Sequence, residues 1–290
     1  MKTKRKMFPY YLMLPTIIIF GIFMIYPILD SIYLSFLDFS GGKYTFVGLA
    51  NYIQLFKDPV FYKALGNTVF YLIIQVPVMI SLALIIAVLV EQKFIRGRGF
   101  FRMSVFLPTV TSLVAYALIF KVLFNTENGL INYIVQLFGG EKIQWIYSAW
   151  PARFSIIISI TWRWVGYNMI ILLAGIQSIP EDLYESANID GANFWQKLFY
   201  ITIPMIKPII LFTTITSTIG TLQLFDETFI LTQGGPDNAT ITLGHYLYLN
   251  GFKFIKYGFA SALGYVMVFI IGMLSFIQFK MSKEEEEKSL

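Results

Sequence analysis

Six apolar segments, each long enough to cross a bilayer, constrain this chain more than any other feature of its sequence. They cover about residues 10–36, 65–90, 103–124, 154–178, 208–231 and 259–279. A hydrocarbon core about 30 Å thick needs roughly 20 mainly apolar residues per helical crossing. Lipid offers no partner for backbone N–H and C=O groups, so apolar segments of this length must satisfy them internally as helices. The expectation is an all-α membrane protein with six transmembrane helices in a single domain over 1–290. Composition agrees: only 13% of residues are charged, against about 25% in soluble domains. The 28 Phe and 18 Tyr suit both lipid contact and the headgroup boundary.

The first segment follows the basic run KTKRK, as a secretory signal would. It is too long for one, contains Pro15 and Pro27, and lacks a small-residue cleavage pattern, so it reads as a retained span. Orientation comes from Lys and Arg. Thirteen fall on the N-terminal side of the first span, in 91–102, in 179–207 and in the tail after 279, with dense clusters at Lys2, Lys4, Arg5, Lys6 and at Lys93, Arg96, Arg98, Arg102. Eight fall on the opposite side, which places both termini in the cytoplasm. The three outer loops carry aromatic residues and Gly/Pro turns; the stretches NYIQLF and LINYIVQLF have the apolar spacing of short surface helices. The acidic tail 280–290 is a solvated charge run.

Several chemistries are excluded. With no cysteine and one histidine, His245, a thiol nucleophile, a disulfide framework, a His-rich metal site and a Ser-His-Asp triad all lack their parts. There is no GxxxxGK[ST] segment, so no phosphate-cradling loop is carried here. The chain itself is expected to bind no cofactor and no nucleic acid, and not to be an enzyme. His245 reads as an interface or solvated residue.

Polar residues inside the spans are the next signal, because lipid penalises them unless they face protein or water. The fifth span reads TTITSTIGTLQLFDETF. Helix-to-helix hydrogen bonding accounts for its Thr and Ser residues, and less well for Gln223 and Asp226. The fourth span places Trp162, Arg163, Trp164, Tyr167 and Asn168 close together. Arg163 reads equally as a group lining a pathway and as the partner of an acid such as Asp226. Aromatic faces beside amides and carboxylates suit a neutral sugar, with its apolar C–H faces and many hydroxyls. The pathway candidates are Trp162, Arg163, Tyr167, Asn168, Gln223 and Asp226, with Gln75 beside an expected kink at Pro77, and Asp30 at the outer boundary.

The segment 180–207 is too long and too polar for a simple connection. Pro180, Glu181 and Asp182 suit a helix start. Leu183, Ala187, Phe194, Trp195, Leu198 and Phe199 form an apolar side, and Gly191 permits a bend between two short helices. This amphipathic hairpin fits equally a cap on the bundle or a docking element.

Its pattern resembles the EAA loop of ATP-binding-cassette importer permeases: Glu185-Ser186-Ala187, three residues to Gly191, nine more, then Ile201-Thr202-Ile203-Pro204. Ser186 and Ile203 are mild departures. LTQGGPDNATITLGHYLY, PTIIIFGIFMIYPILDSIYLSF and GLANYIQLFKDPVFYKALGNTVFY resemble the MalF-like and UgpA-like subunits of carbohydrate importers, over roughly 8–280. The resemblance implies a fold with a cytoplasmic coupling helix in which Glu185, Ser186, Ala187, Asp190, Gly191 and Ala192 meet an ATPase subunit. It also implies residence in a prokaryotic plasma membrane, a second homologous permease, two ATPase subunits carrying ATP and Mg, an extracytoplasmic solute-binding protein, and a sugar, of the oligosaccharide class, as substrate. A glycerol-phosphate or uronic-acid substrate, for which Arg163 would be a counter-charge, is the nearest alternative, and a self-contained secondary transporter is a more distant one.

Overall fold

The computed structural model describes residues 12–40, 42–92 and 95–289. Residues 10–11 of the first span, the basic cluster at 2–6 and Lys93 lie outside them. In chain order the elements are α1 (Leu12–Leu34), β1 (Leu37–Ser40), β2 (Lys43–Phe46), α2 (Ala50–Lys57), α3 (Pro59–Glu91), α4 (Arg98–Val110), α5 (Leu113–Leu123) and α6 (Leu130–Leu137). There follow α7 (Ala149–Gln177), α8 (Glu181–Ile189), α9 (Phe194–Met205), α10 (Lys207–Leu222), α11 (Leu243–Tyr248) and α12 (Tyr257–Ser289). Four helices are long and apolar enough to cross a membrane, or up to six if the bent pairs α4–α5 and α9–α10 each count as one crossing. The chain divides into two compact units.

One unit comprises 12–58 with 247–269. The large apolar side chains of α1 point away from the protein and none is buried, as in a helix surrounded by lipid or by another subunit. Tyr265 of α12 donates to the carbonyl of Ile28 at 2.6 Å and meets the Ser31 hydroxyl at 2.7 Å. The stretch between α1 and α3 holds, besides the expected short helix, a strand pair that the sequence reading did not include: β1 and β2 pair antiparallel, Leu37 opposite Phe46. The buried Asn51 of α2 donates at 2.9 Å to the carbonyls of both Ser35 and Leu37, fixing the hairpin's first strand. Helices α2 and α6 match the short helices expected from NYIQLF and LINYIVQLF.

The other unit comprises 59–246 with 270–289. Its axis is α3 packed along α7. Arg153 reaches Asn67 near the start of both helices and Gln177 reaches Glu91 at their ends, so the two run parallel. α3 continues through Pro77 without interruption, and the expected kink is not a break. The third span departs from expectation more sharply. α4 and α5 meet at 98° because Thr111 and Ser112 are both extended, with ψ of 150° and 134°. α4 crosses α7 at Gly166, where a Cβ would stand 2.0 Å from the Val105 carbonyl oxygen; only glycine admits that approach.

The fifth span also departs from the expected helix over 208–231. α9 and α10 bend by 71° at Ile206, two residues before Pro208, which supplies no N–H to the ladder. α10 then stops at Leu222, and a separate π-helical turn covers Thr228–Thr232. Backbone groups freed at such a break need partners. The Thr242 hydroxyl donates to the Leu224 carbonyl, and Gly244 packs against the carbonyls of Gln223 and Leu224.

Candidate functional site

The hairpin at the lower end of α7 is formed as its sequence dictates. Pro180 caps α8, and Glu181 and Asp182 occupy its first turn. The helix closes on Gly191, whose φ of +76° is open to glycine and strained for other residues. Asn193 then starts α9 through a reciprocal capping box: its side chain accepts from Gln196 N–H at 2.9 Å, and the Gln196 side chain accepts from Asn193 N–H at 2.8 Å. Lys197 donates to Asn188 across the turn at 2.8 Å. Tyr184 meets Thr202 at 2.9 Å, and Leu198 is buried against the ends of α3 and α7. The apolar side expected from the sequence is thus split. Leu198 faces inward, whereas Leu183, Trp195 and Phe199 are exposed, with Trp195 and Phe199 stacked. Glu185, Ser186, Asp190 and Gly191 are exposed as well, and Ala187 and Ala192 are half-buried.

Between this hairpin and the ends of α3 and α7 lies a cavity of about 1020 Å³, lined in part by Glu91, Arg98, Glu185 and Lys197. Glu91 accepts from both Arg102 (2.8 Å) and Gln177 (2.9 Å), which holds α4 and α7 to the foot of α3.

The pathway candidates separate into two groups. Asn168 is buried: it donates to the Trp164 carbonyl at 3.0 Å and accepts from Ser217 of α10 at 3.2 Å. Gln75, also buried, accepts from Thr221 at 3.0 Å. Thr213, Thr214 and Thr216 return their hydroxyls to carbonyls of their own helix. These groups join α3, α7 and α10 or close on themselves, so the polar content of α10 is largely structural. By contrast Gln223 is exposed, Asp226 is half-buried, and Trp162 and Tyr167 are 45% and 41% exposed.

Arg163 is buried, its guanidinium 4.5 Å above the Tyr116 ring and 5.5 Å from that of Trp164. Its Nε and Nη1 have no hydrogen-bond partner among the described residues, and its charge acts on both Asp226 and Glu227. The Tyr116 hydroxyl donates to the buried Glu227 carboxylate. Tyr116 was missed in the sequence because a tyrosine in an apolar helix carries no distinguishing pattern. Of the two expectations for His245, interface or solvated, burial removes the second. It is buried between the rings of Phe225 and Phe229 and meets Thr228 at 3.2 Å.

Residues 59–282 match the family described as binding-protein-dependent transport system inner membrane component. The chain belongs to that family. As an inner-membrane component it is a multi-pass membrane protein, and the expectation drawn from the EAA-like segment is met at family level. Among curated relatives of this inner membrane component, the lactose transport system permease protein LacF of Rhizobium radiobacter is 46% identical over 277 residues, covering 94% of this chain and 93% of that protein. The arabinooligosaccharides transport system permease protein AraP of Halalkalibacterium halodurans is 37% identical, covering 94% and 87%. Among solved structures, a bacterial transporter involved in the import of the acidic polysaccharide alginate superposes with a TM-score of 0.87 at 26% identity, covering 98% of this chain and 97% of that one.

Proposed function

We propose that this inner membrane component forms one side of a saccharide passage, with a second permease completing it. ATPase subunits would drive it through the 181–205 hairpin, and an extracytoplasmic binding protein would deliver the substrate. Both termini and the hairpin then face the cytoplasm, an orientation that the excess of Lys and Arg on that side supports. The observation that carries the reading is the hairpin itself. It is anchored on its inner side by Leu198 and the Tyr184–Thr202 bond, yet presents Leu183, Glu185, Trp195 and Phe199 outward. A rigid element with an exposed apolar and acidic face is suited to a groove on another protein. Its short, pinned connection to α7 and α10 would carry a displacement into the spans.

For the substrate, two classes stand. Names of curated relatives support neutral saccharides: lactose and arabinooligosaccharides. The acid-bearing alternative draws the stronger structural support, from the alginate importer that superposes over 98% of the chain and from the buried Arg163, whose Nε and Nη1 have no hydrogen-bond partner among the described residues. A carboxylate would suit that guanidinium. Glu227, the nearby acid, is held by Tyr116.

The test is affinity purification of the tagged chain in mild detergent, followed by uptake of labelled lactose against an oligouronate by the reconstituted assembly. Co-purification of a second permease and an ATPase is expected, with Glu185→Lys releasing the ATPase and keeping the permease. A chain that purifies alone removes the importer reading; the preferred labelled sugar decides the substrate class.

A further inference from the structure

At the end of α3 and α7 opposite the hairpin lies a second cavity, of about 530 Å³, lined by Lys63, Asn67, Phe70, Arg153, Asp237 and their neighbours. Its floor is built rather than incidental. Asn67 is buried and donates to the carbonyls of Asn238 and Ile241, each at 2.9 Å, which fastens the 234–241 loop to α3. Arg153 fastens the same loop to α7, donating from Nε to the Ala239 carbonyl at 2.9 Å and from Nη2 to Asn67 Oδ1 at 3.1 Å. Its guanidinium also lies 5.5 Å from the Phe70 ring centre and 4.9 Å from that of Trp150. Within the loop, Thr240 bonds Thr232 at 2.7 Å and the Gly235 carbonyl at 2.9 Å.

Over this fixed floor stands a cation held loosely. Lys63 Nζ meets Asp237 at 3.2 Å, but the two side chains are 49% and 91% exposed. An exposed pair of that kind is worth about 0.2–1 kcal/mol, so Lys63 can exchange partners. The lining therefore offers one rigid and one exchangeable cation against a single carboxylate, in a cavity open to the outer side under the proposed orientation.

We propose that this cavity is a socket for an acidic side chain, Asp or Glu, on the extracytoplasmic binding protein. Its carboxylate takes Lys63 from Asp237 while the Arg153 guanidinium supports it from beneath. This rests on the importer reading above and goes beyond it in assigning the contact to these residues. A preformed floor lowers the cost of ordering on contact. Charge pairing at an exposed rim sets encounter rate and partner choice, and weakens with salt. These properties suit a protein that must dock and leave in every cycle.

The experiment uses the assembled transporter in nanodiscs with its binding protein, reading the binding-protein concentration that half-maximally stimulates ATP hydrolysis. Lys63→Glu is expected to raise that concentration on the order of tenfold, with basal hydrolysis and the maximal stimulated rate unchanged. Asp237→Asn, which removes the carboxylate charge and leaves Lys63 only its 3.3 Å contact to the residue-237 carbonyl, is expected to lower it by up to about fivefold. The opposite signs are the signature. Two variants that shift it the same way, or not at all, overturn the socket while leaving the importer reading intact. So does a Lys63→Glu effect that appears as lost binding of trigalacturonate to the transporter without binding protein, which would make the cavity a saccharide subsite. A wild-type assembly that no binding protein stimulates overturns the importer reading and the socket with it.

Discussion

Replacing Gly166 by alanine probes the most tightly specified crossing in the protein. The added Cβ would stand 2.0 Å from the Val105 carbonyl oxygen, 2.6 Å from its carbon and 2.9 Å from the Phe106 Cα. All three are backbone atoms, so no side-chain rotation relieves the clash. Ordinary contact begins near 3.4 Å, and α4 and α7 must therefore part locally by about 1.4 Å. Overpacking of this kind costs about 1–3 kcal/mol. Separation also strains the hydrogen bond from Thr109 to the Arg163 carbonyl, 3.0 Å long, worth about 1 kcal/mol. The sum, about 2–4 kcal/mol, corresponds to a fall of roughly 5–10 °C in the midpoint of thermal unfolding. The midpoint is read by size-exclusion chromatography of heated, detergent-purified assembly. Because α4 leads into the 98° turn and α5, uptake should slow in parallel. A Gly166→Ala assembly that melts within about 1 °C of the parent and transports normally would refute the argument that the close crossing positions the elbow.

Two further outcomes follow from the geometry. Asn67→Ala removes three hydrogen bonds at a buried position, about 3 kcal/mol at about 1 kcal/mol each; limited proteolysis should then cut within 234–241, and a loop as resistant as the parent's would show that Asn67 is not its anchor. Gln223→Ala combined with Asp226→Ala should alter the concentration dependence of uptake while assembly and basal ATP hydrolysis persist, since Gln223 is exposed and Asp226 only half-buried; unchanged kinetics across several sugars would make them structural.

Much of this fold was legible because lipid imposes a simple rule. α3, α7 and α12 are long apolar runs with no internal break, and the sequence marks them directly. The third and fifth spans carry the same composition but are broken: the bends at Thr111–Ser112 and before Pro208 are local, whereas the stop of α10 at Leu222 depends on partners further along the chain. Thr242 and Gly244 cover the carbonyls freed at 223–224, and nothing near Gln223 announces them. The β1–β2 hairpin had a signal, the Gly-Gly step between Ser40 and Lys43, which the apolar reading of the loop passed over. In the hairpin 181–205, start, bend and capping box were all local chemistry and were readable. Which of its apolar residues face inward was not, because that depends on the ends of α3 and α7. The burial of His245 was not readable for a related reason: a lone histidine says nothing about the rings of Phe225 and Phe229 that pack on it.

The parallel pairing of α3 and α7 has a consequence for energy transfer. The two helices are clasped at one end by Asn67–Arg153 and at the other by Glu91–Gln177, so they behave as a single stave. The outer loop is fastened to the stave's top and the hairpin grows from its foot. Under the proposed coupling, a nucleotide-driven step that displaces the foot would carry the top with it, and thermodynamic linkage would make the traffic symmetrical. If docking above favours one tilt of the stave, that tilt tightens the grip below by the same factor. Arrival of a loaded carrier would then be reported across the bilayer through one lever, with no separate signal passing through the passage.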